Sequence, residues 1–287
     1  MHDRSLQSWN WMHPALLLMM LALAALALHT HWNPMAALAV GLLMTLAWIA
    51  FWEHQRPYRQ DWLPQRQDLR RDGWFALFTI LADSLGGLLV RLAALAILLY
   101  WPLTGYAQDL PMLLAVPLAL LLAELGDYWL HRLSHRGGWL WQVHLVHHRP
   151  AVLHVSNNFL SHPVNVLLRK VLRELPIWAM GFSPEALLTA ALLAQAQSFA
   201  AHANWAGRLG YLNYFLGSAQ LHRWHHSVQH EEALNFATAW PLWDQVFGTF
   251  YYHPELEVAQ IGLSQTEPGE HDKQALLCQP FPCCRAL

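Results

Sequence analysis

Charge is what this sequence has least of. Asp, Glu, Lys and Arg make up 13% of its 287 residues, about half the share of an ordinary soluble domain. Between Pro14 and Trp52 there is none at all. Lipid is therefore expected as part of the solvent. No block of Lys or Arg occurs and the formal net charge is −2, so nucleic acid is not an expected partner. Cysteine is almost missing: Cys278, Cys283 and Cys284 all lie in the last ten residues, which argues against a disulfide framework. Internal repeats and low-complexity segments are absent too. The residues in excess are the apolar ones, at 55%, with 16 tryptophans and 19 histidines. That many tryptophans suits a long membrane–water boundary.

The apolar stretches predict spans. A run without charge from 14 to 52 exceeds the roughly 20 residues of one crossing. The interruption HTHWNP at 29–34 divides it into two, 14–30 and 34–52. A cleaved signal peptide fits the first poorly, because the next apolar run follows at once. The loop 53–72 carries Arg56, Arg59, Arg66, Arg70 and Arg71 and should face the cytoplasm. A third span is predicted over 73–101, with Asp83 and Arg91 on one face as an internal pair. The loop 102–110 lacks Lys and Arg, and a fourth span, kinked at Pro117, follows over 111–130. Residues 151–173 read as a basic amphipathic stretch on the membrane surface. Residues 175–201, broken at Gly181–Pro184, read as a re-entrant or hairpin pair. The expectation is an all-α polytopic bundle of about four spans plus that pair. Its parts are N-terminal spans over 1–110, a catalytic region over 111–254 and a surface tail over 255–287. Both termini would be cytoplasmic, at the inner membrane in a bacterium.

The histidines are not scattered. Five fall in 18 residues, at His131, His135, His144, His147 and His148, and His222, His225 and His226 form a second set. Positions three and four apart share a helix face, so each set presents its rings in one direction. A lone HxxxH is common by chance, but one HxxxH with two HxxHH sets on one predicted membrane face is not. With His202 there are nine imidazoles, more than a structural zinc or a three-histidine hydrolytic site requires. Two metal ions with four or five nitrogens each is the natural partition. Asp127 and Asp244 are candidates to orient a ligand, and Asn204 and Asn235 to hold a metal-bound water. His2, His13, His29, His31, His54, His230, His253 and His271 read as surface or interfacial groups.

In order along the chain, HRLSH, HLVHH, HANW, LHRWHH and WDQVFGTF resemble the fatty acid hydroxylase/sterol desaturase superfamily of integral-membrane di-iron enzymes. GDYWLHR and the SHP at 161–163 add to the likeness, which covers about residues 120–250. The resemblance implies a cytoplasmic helical cap on the membrane bundle, holding two iron ions ligated by the nine histidines. His162 is a possible tenth; some members have a further histidine where this chain has Ala206. It implies O2 as co-substrate and attack on an unactivated C–H bond of a lipid, giving hydroxylation or, by a second abstraction, desaturation. No haem or flavin segment is recognisable, so the electrons are expected from a separate reductase or redox protein. Two other classes use the same histidines: a metal carrier, which needs a polar membrane path, and a zinc hydrolase, which needs no oxygen.

Overall fold

Three Pro residues mark where helices begin. Asn33-Pro34, His162-Pro163 and Ser183-Pro184 each place a capping side chain before a proline in the first turn. There its missing N–H costs nothing and its fixed φ suits the helix. Asn33 accepts from Met35 N at 2.9 Å, His162 Nδ1 from Val164 N at 3.2 Å and Ser183 Oγ from Ala186 N at 3.2 Å. The computed structural model describes residues 8–100, 106–263, 273–278 and 280. In order these form α1 (Met12–His29), α2 (Pro34–Gln55), α3 (Arg66–Tyr100), α4 (Met112–Ser134) and α5 (Gly138–His148). Then follow α6 (Pro163–Met180), α7 (Pro184–Ala201), α8 (Ala219–His225), α9 (Leu242–Val246) and α10 (Lys273–Cys278). Among the described residues there is no strand.

Four helices are long and apolar enough to cross a membrane: α1, α2, α3 over Arg66–Ile97, and α4. Their outward leucines are bare, with Leu85, Leu88, Leu92 and Leu95 of α3 each about half exposed. In water such a stripe would be an aggregation surface; in a bilayer it is solvated. The helices run alternately between two ends. At the far end lie the turn after α1, residues 106–111 and the turn Gly181–Ser183, where Ala107 N donates to Met180 O at 3.2 Å. At the other end lie residues 8–11, the loop 56–65, and most of 135–162 and 202–263.

The segment 175–201 is thus a hairpin, α6 descending and α7 returning. The basic stretch 151–173 divides, 151–162 lying at the histidine end and 163–173 opening α6, which packs along α3 and α4. Two of its charges on α6 are paired. Arg169 grips Asp127 of α4 through two bonds, at 2.6 and 2.7 Å, and Lys170 reaches Asp83 of α3 and Glu174 at 2.8 Å. The expected Asp83–Arg91 pair is therefore replaced by Asp83–Lys170. Tight helix contact makes this possible: a Cβ on Gly126 of α4 would land on the backbone carbonyl of Leu172 in α6.

The tail also departs from expectation. Val258 and Ile261 are buried with Trp62, Leu153 and Trp224, and Leu276 of α10 is buried against Phe75, Val146 and Leu160. Cys283, Cys284, His2, His271 and part of the loop 102–110 lie outside the described residues.

Candidate metal centre

Each histidine set is aimed by a short helix and a cap. His131 ends α4, and His135 is its C-cap. Gly137 (φ 87°) and Gly138 (φ 69°) then reverse the chain in the left-handed region that side chains disfavour. Helix α5 folds back and brings His144, His147 and His148 to the first pair. His202 caps α7, and α8, started by Ser218 Oγ accepting from Leu221 N, carries His222 and His225 with His226 as its cap.

The nine rings meet in two groups. His131, His135, His144, His148 and His225 form one; His147, His202, His222 and His226 form the other. Within each group one nitrogen per ring lies within 4.8 Å of all the rest. The groups abut, with the His148 and His226 rings stacked at 4.3 Å. Seven of the nine are buried.

Tautomers decide what these nitrogens can be. Backbone carbonyls only accept, so a ring nitrogen beside one must carry the proton. Nδ1 of His131 donates to Phe236 O at 2.6 Å and that of His225 to Leu234 O at 2.9 Å. His147 donates to Leu160 O at 3.2 Å and His202 to Ser198 O at 3.0 Å. In the neutral ring each Nε2 is then a bare lone pair. Yet Nε2 of His202 lies 3.2 Å from Nε2 of His147, two lone pairs facing with no proton between them. Similar Nε2–Nε2 distances, 3.0 to 3.1 Å, link His222 to His202 and His226, and His148 to His144 and His225. Two nitrogens bound at right angles to one ion through bonds of about 2.1 Å lie about 3.0 Å apart. Nε2 of His131 and of His135 are buried with no hydrogen-bond partner. The donor set therefore fits a cation in each group, and imidazole suits iron, copper, nickel or zinc.

Burial keeps the rings in the ligand form. Desolvation first, then neighbouring imidazoles, hold His144, His148, His222 and His226 well below the ordinary 6.5, and His147 and His225 follow for the same leading reason. His135 is pushed down to about 3. At neutral pH they are uncharged and available to a metal.

The other expected site residues stand differently. Asp244 accepts from Phe236 N at 2.8 Å and Ala237 N at 2.9 Å, so it anchors the loop whose carbonyl orients His131. Asn235 sits between the two carbonyls that orient His131 and His225. Its backbone is left-handed (φ 62°), and its side chain binds Leu221 O, Tyr251 O and Tyr251 N. It shapes a loop rather than holding a water. Asp127 is taken by Arg169 and orients no histidine. Asn204 bonds Arg59 N and Arg59 O at 3.0 and 2.9 Å, tying down the loop after α2. His162 caps α6, and its Nε2 meets Leu277 O at 3.1 Å, outside both groups. His13, expected at an interface, is fully buried on Gln197 at 2.8 Å. Two neighbours had no sequence signal: Asn165, whose amide lies 3.4 Å from His144 Nδ1, and Trp141, whose ring is 5.3 Å from His135.

Fold and site together define a polytopic helical membrane protein with paired all-histidine metal-binding groups at one end. A family model described as fatty acid hydroxylase matches residues 116–249. The chain is 31% identical over 256 residues to ornithine lipid hydroxylase OlsE of Rhizobium tropici, covering 84% of this chain and 75% of that one. It belongs to the fatty acid hydroxylase family and is an oxidoreductase. It is also 30% identical over 155 residues to alkylglycerol monooxygenase of Danio rerio, covering 51% of this chain and 32% of that protein. With very-long-chain aldehyde decarbonylase GL1-10 of Oryza sativa subsp. japonica it shares 28% over 161 residues, 52% of each. The chain thus spans about a third and about half of these two relatives. No solved structure matches it.

Proposed function

We propose that this protein is a membrane-bound di-iron enzyme that hydroxylates a lipid with O2. The observation that carries the reading is the facing of Nε2 of His147 and His202, whose Nδ1 protons are both committed to backbone carbonyls, within two groups of converging imidazoles; a cation between them accounts for that contact. The nine histidines would hold the two ions, five in one group and four in the other. When bound, iron would supply reductive activation of O2 and removal of hydrogen from an unactivated C–H bond. The chain's own residues fix the ring tautomers through Phe236, Leu234, Leu160 and Ser198, and the burial of the groups keeps bulk water out. Two electrons per turnover would come from a separate donor. Hydroxylation is preferred to desaturation because two of the three relatives above are named for oxygen insertion.

The substrate would be a membrane lipid. The relative matched over 256 residues is named for ornithine lipid, so aminolipids are the first class to test. The arginine loop lies at the histidine end, with Arg59, Arg66 and Arg70 exposed, which supports a cytoplasmic site.

The test is comparative lipidomics of cells with and without the protein, alongside iron analysis of the purified enzyme. A lipid gaining one oxygen atom is expected. His147→Ala and His225→Ala should each abolish that product and lower bound iron. A lipid losing two hydrogens would make the enzyme a desaturase. Turnover without O2 or reductant would refute the redox reading.

A further inference from the structure

Resting on that reading, we propose that an apolar groove between α3 and α6 seats one acyl chain of the lipid substrate beside the histidine centre. One wall is the α3 face Phe78, Leu81, Ala82 and Leu85; the other is Pro163, Val164 and Leu167 of α6. No lining residue is polar. The volume is about 280 Å³, just under the roughly 300–1,000 Å³ of whole small-molecule sites. It suits a segment of one chain and not an entire lipid.

The position argues for substrate. The segment 159–165 has two sides. Pro163 and Val164 line the groove, while Leu160 O orients His147 and the Asn165 amide lies against His144. One short stretch thus borders the groove and touches a member of each histidine group. Thr79 Oγ1 donates to Phe159 O at 3.1 Å, which fixes α3 at the same level.

Residues of this chain border the groove at both ends. Towards the histidine end, Phe78 packs in the cluster that Leu276 of α10 completes. Towards the membrane interior, Lys170 folds its stem over Gly86, where a Cβ would meet Lys170 Cγ and Cβ, and its ammonium is held by Asp83 and Glu174. The side stays open, between Leu81 and Leu85, which are 59% and 51% exposed. That opening lies on a membrane-spanning helix, so the molecules at its mouth are bilayer lipids and the part they offer is hydrocarbon. An apolar groove open sideways on a membrane-spanning helix admits a chain from the bilayer.

The experiment uses the iron-loaded full-length enzyme in vesicles of phosphatidylcholine bearing a diazirine in one acyl chain. After illumination, labelled peptides are located by mass spectrometry, which requires no turnover. Label should map to 78–85 and 163–167. Val164→Trp fills the slot and should remove that label. It should also cut formation of the oxygenated lipid at least tenfold with iron content unchanged. Ala82→Leu narrows the slot from the opposite wall and should give the same pattern if Val164→Trp fails to fold. Label confined to other segments would overturn the proposal. So would label in the groove with full turnover in a correctly folded Val164→Trp, which would mean a passing bilayer lipid only. If labelling behaves as expected and no lipid gains oxygen, the hydroxylase reading falls, and with it the assignment of the bound chain as substrate.

Discussion

A ligating imidazole is set by what its other nitrogen touches, and here four of those partners are backbone carbonyls. That is why Asn235 matters without being near an ion. It holds a left-handed turn through three hydrogen bonds and so aims Leu234 O and Phe236 O at His225 and His131. Asn235→Ala removes those bonds and puts a Cβ-bearing residue lacking a local polar partner at φ 62°. Metal affinity should fall roughly 10- to 100-fold, the usual cost of losing an outer partner, measured as iron retained during chelator titration. Unchanged affinity would show that the loop keeps its shape without Asn235. The burial that keeps the rings neutral has a second consequence, for the metal-free protein. Unfolded imidazoles titrate near 6.5 and the buried ones well below. Below pH 6.5 the unfolded chain therefore binds more protons than the folded one, and stability falls as pH falls. Each such ring contributes up to about 1.4 kcal/mol per pH unit. The thermal midpoint of metal-free enzyme in detergent should drop steeply from pH 7 to 5.5; a flat profile would mean that the rings are wetter than the fold implies. Eight of the nine converging histidines stand at helical spacing within their own segments, which fixes the direction of each set, whereas His202 stands alone along the chain. The partners of Asp127 and Asn204 were not legible in the sequence, because Arg169 and Arg59 lie 42 and 145 residues away along the chain.

Among elements, α6 is where sequence and structure part. Arg169, Lys170 and Arg173 made it look like a surface stretch, since hydropathy counts charges without their partners. Asp127 pairs with Arg169, and Asp83 and Glu174 pair with Lys170, so the helix packs against α3 and α4 with those two charges compensated. The apolar hairpin α1–α2, by contrast, was readable directly, because its apolar run was interrupted only at HTHWNP, 29–34, whose Asn33 caps the second helix. The α4–α6 contact depends on Gly126, since a side chain there meets backbone that cannot rotate away. Gly126→Ala should force the helices apart, costing about 1–3 kcal/mol and loosening the Asp127–Arg169 pair. Gly41 is the control. A Cβ there meets side-chain ends alone, Leu192 Cδ2 most closely and then Leu23 Cδ2 and Gln195 Oε1, which can shift where backbone cannot, so Gly41→Ala should lower the midpoint less than Gly126→Ala. Equal effects for the two substitutions would show that close backbone approach is not what holds α6 in place.

At the scale of the whole molecule, six long helices pass between two ends, α6 and α7 adding a return trip to the four apolar spans. The even number puts Ser8 and α10 at the histidine end, where Ser8 O accepts from Arg208 N and Leu277 O from His162. Charge follows the same division. The far-end turns 30–33, 106–111 and 181–183 contain no Lys or Arg, whereas Arg56 and Arg59 in the loop after α2 and Arg66, Arg70 and Arg71 at the start of α3 crowd the histidine end. Cationic loops stay on the cytoplasmic side during insertion, which supports the proposed cytoplasmic orientation of the histidine end. A C-terminal fusion to green fluorescent protein should fluoresce, and one to alkaline phosphatase should be silent in intact cells. A fusion after Asp109 should behave the opposite way. Phosphatase activity at the C-terminus would put the histidines outside the cell, where a cytoplasmic electron donor could not reach them.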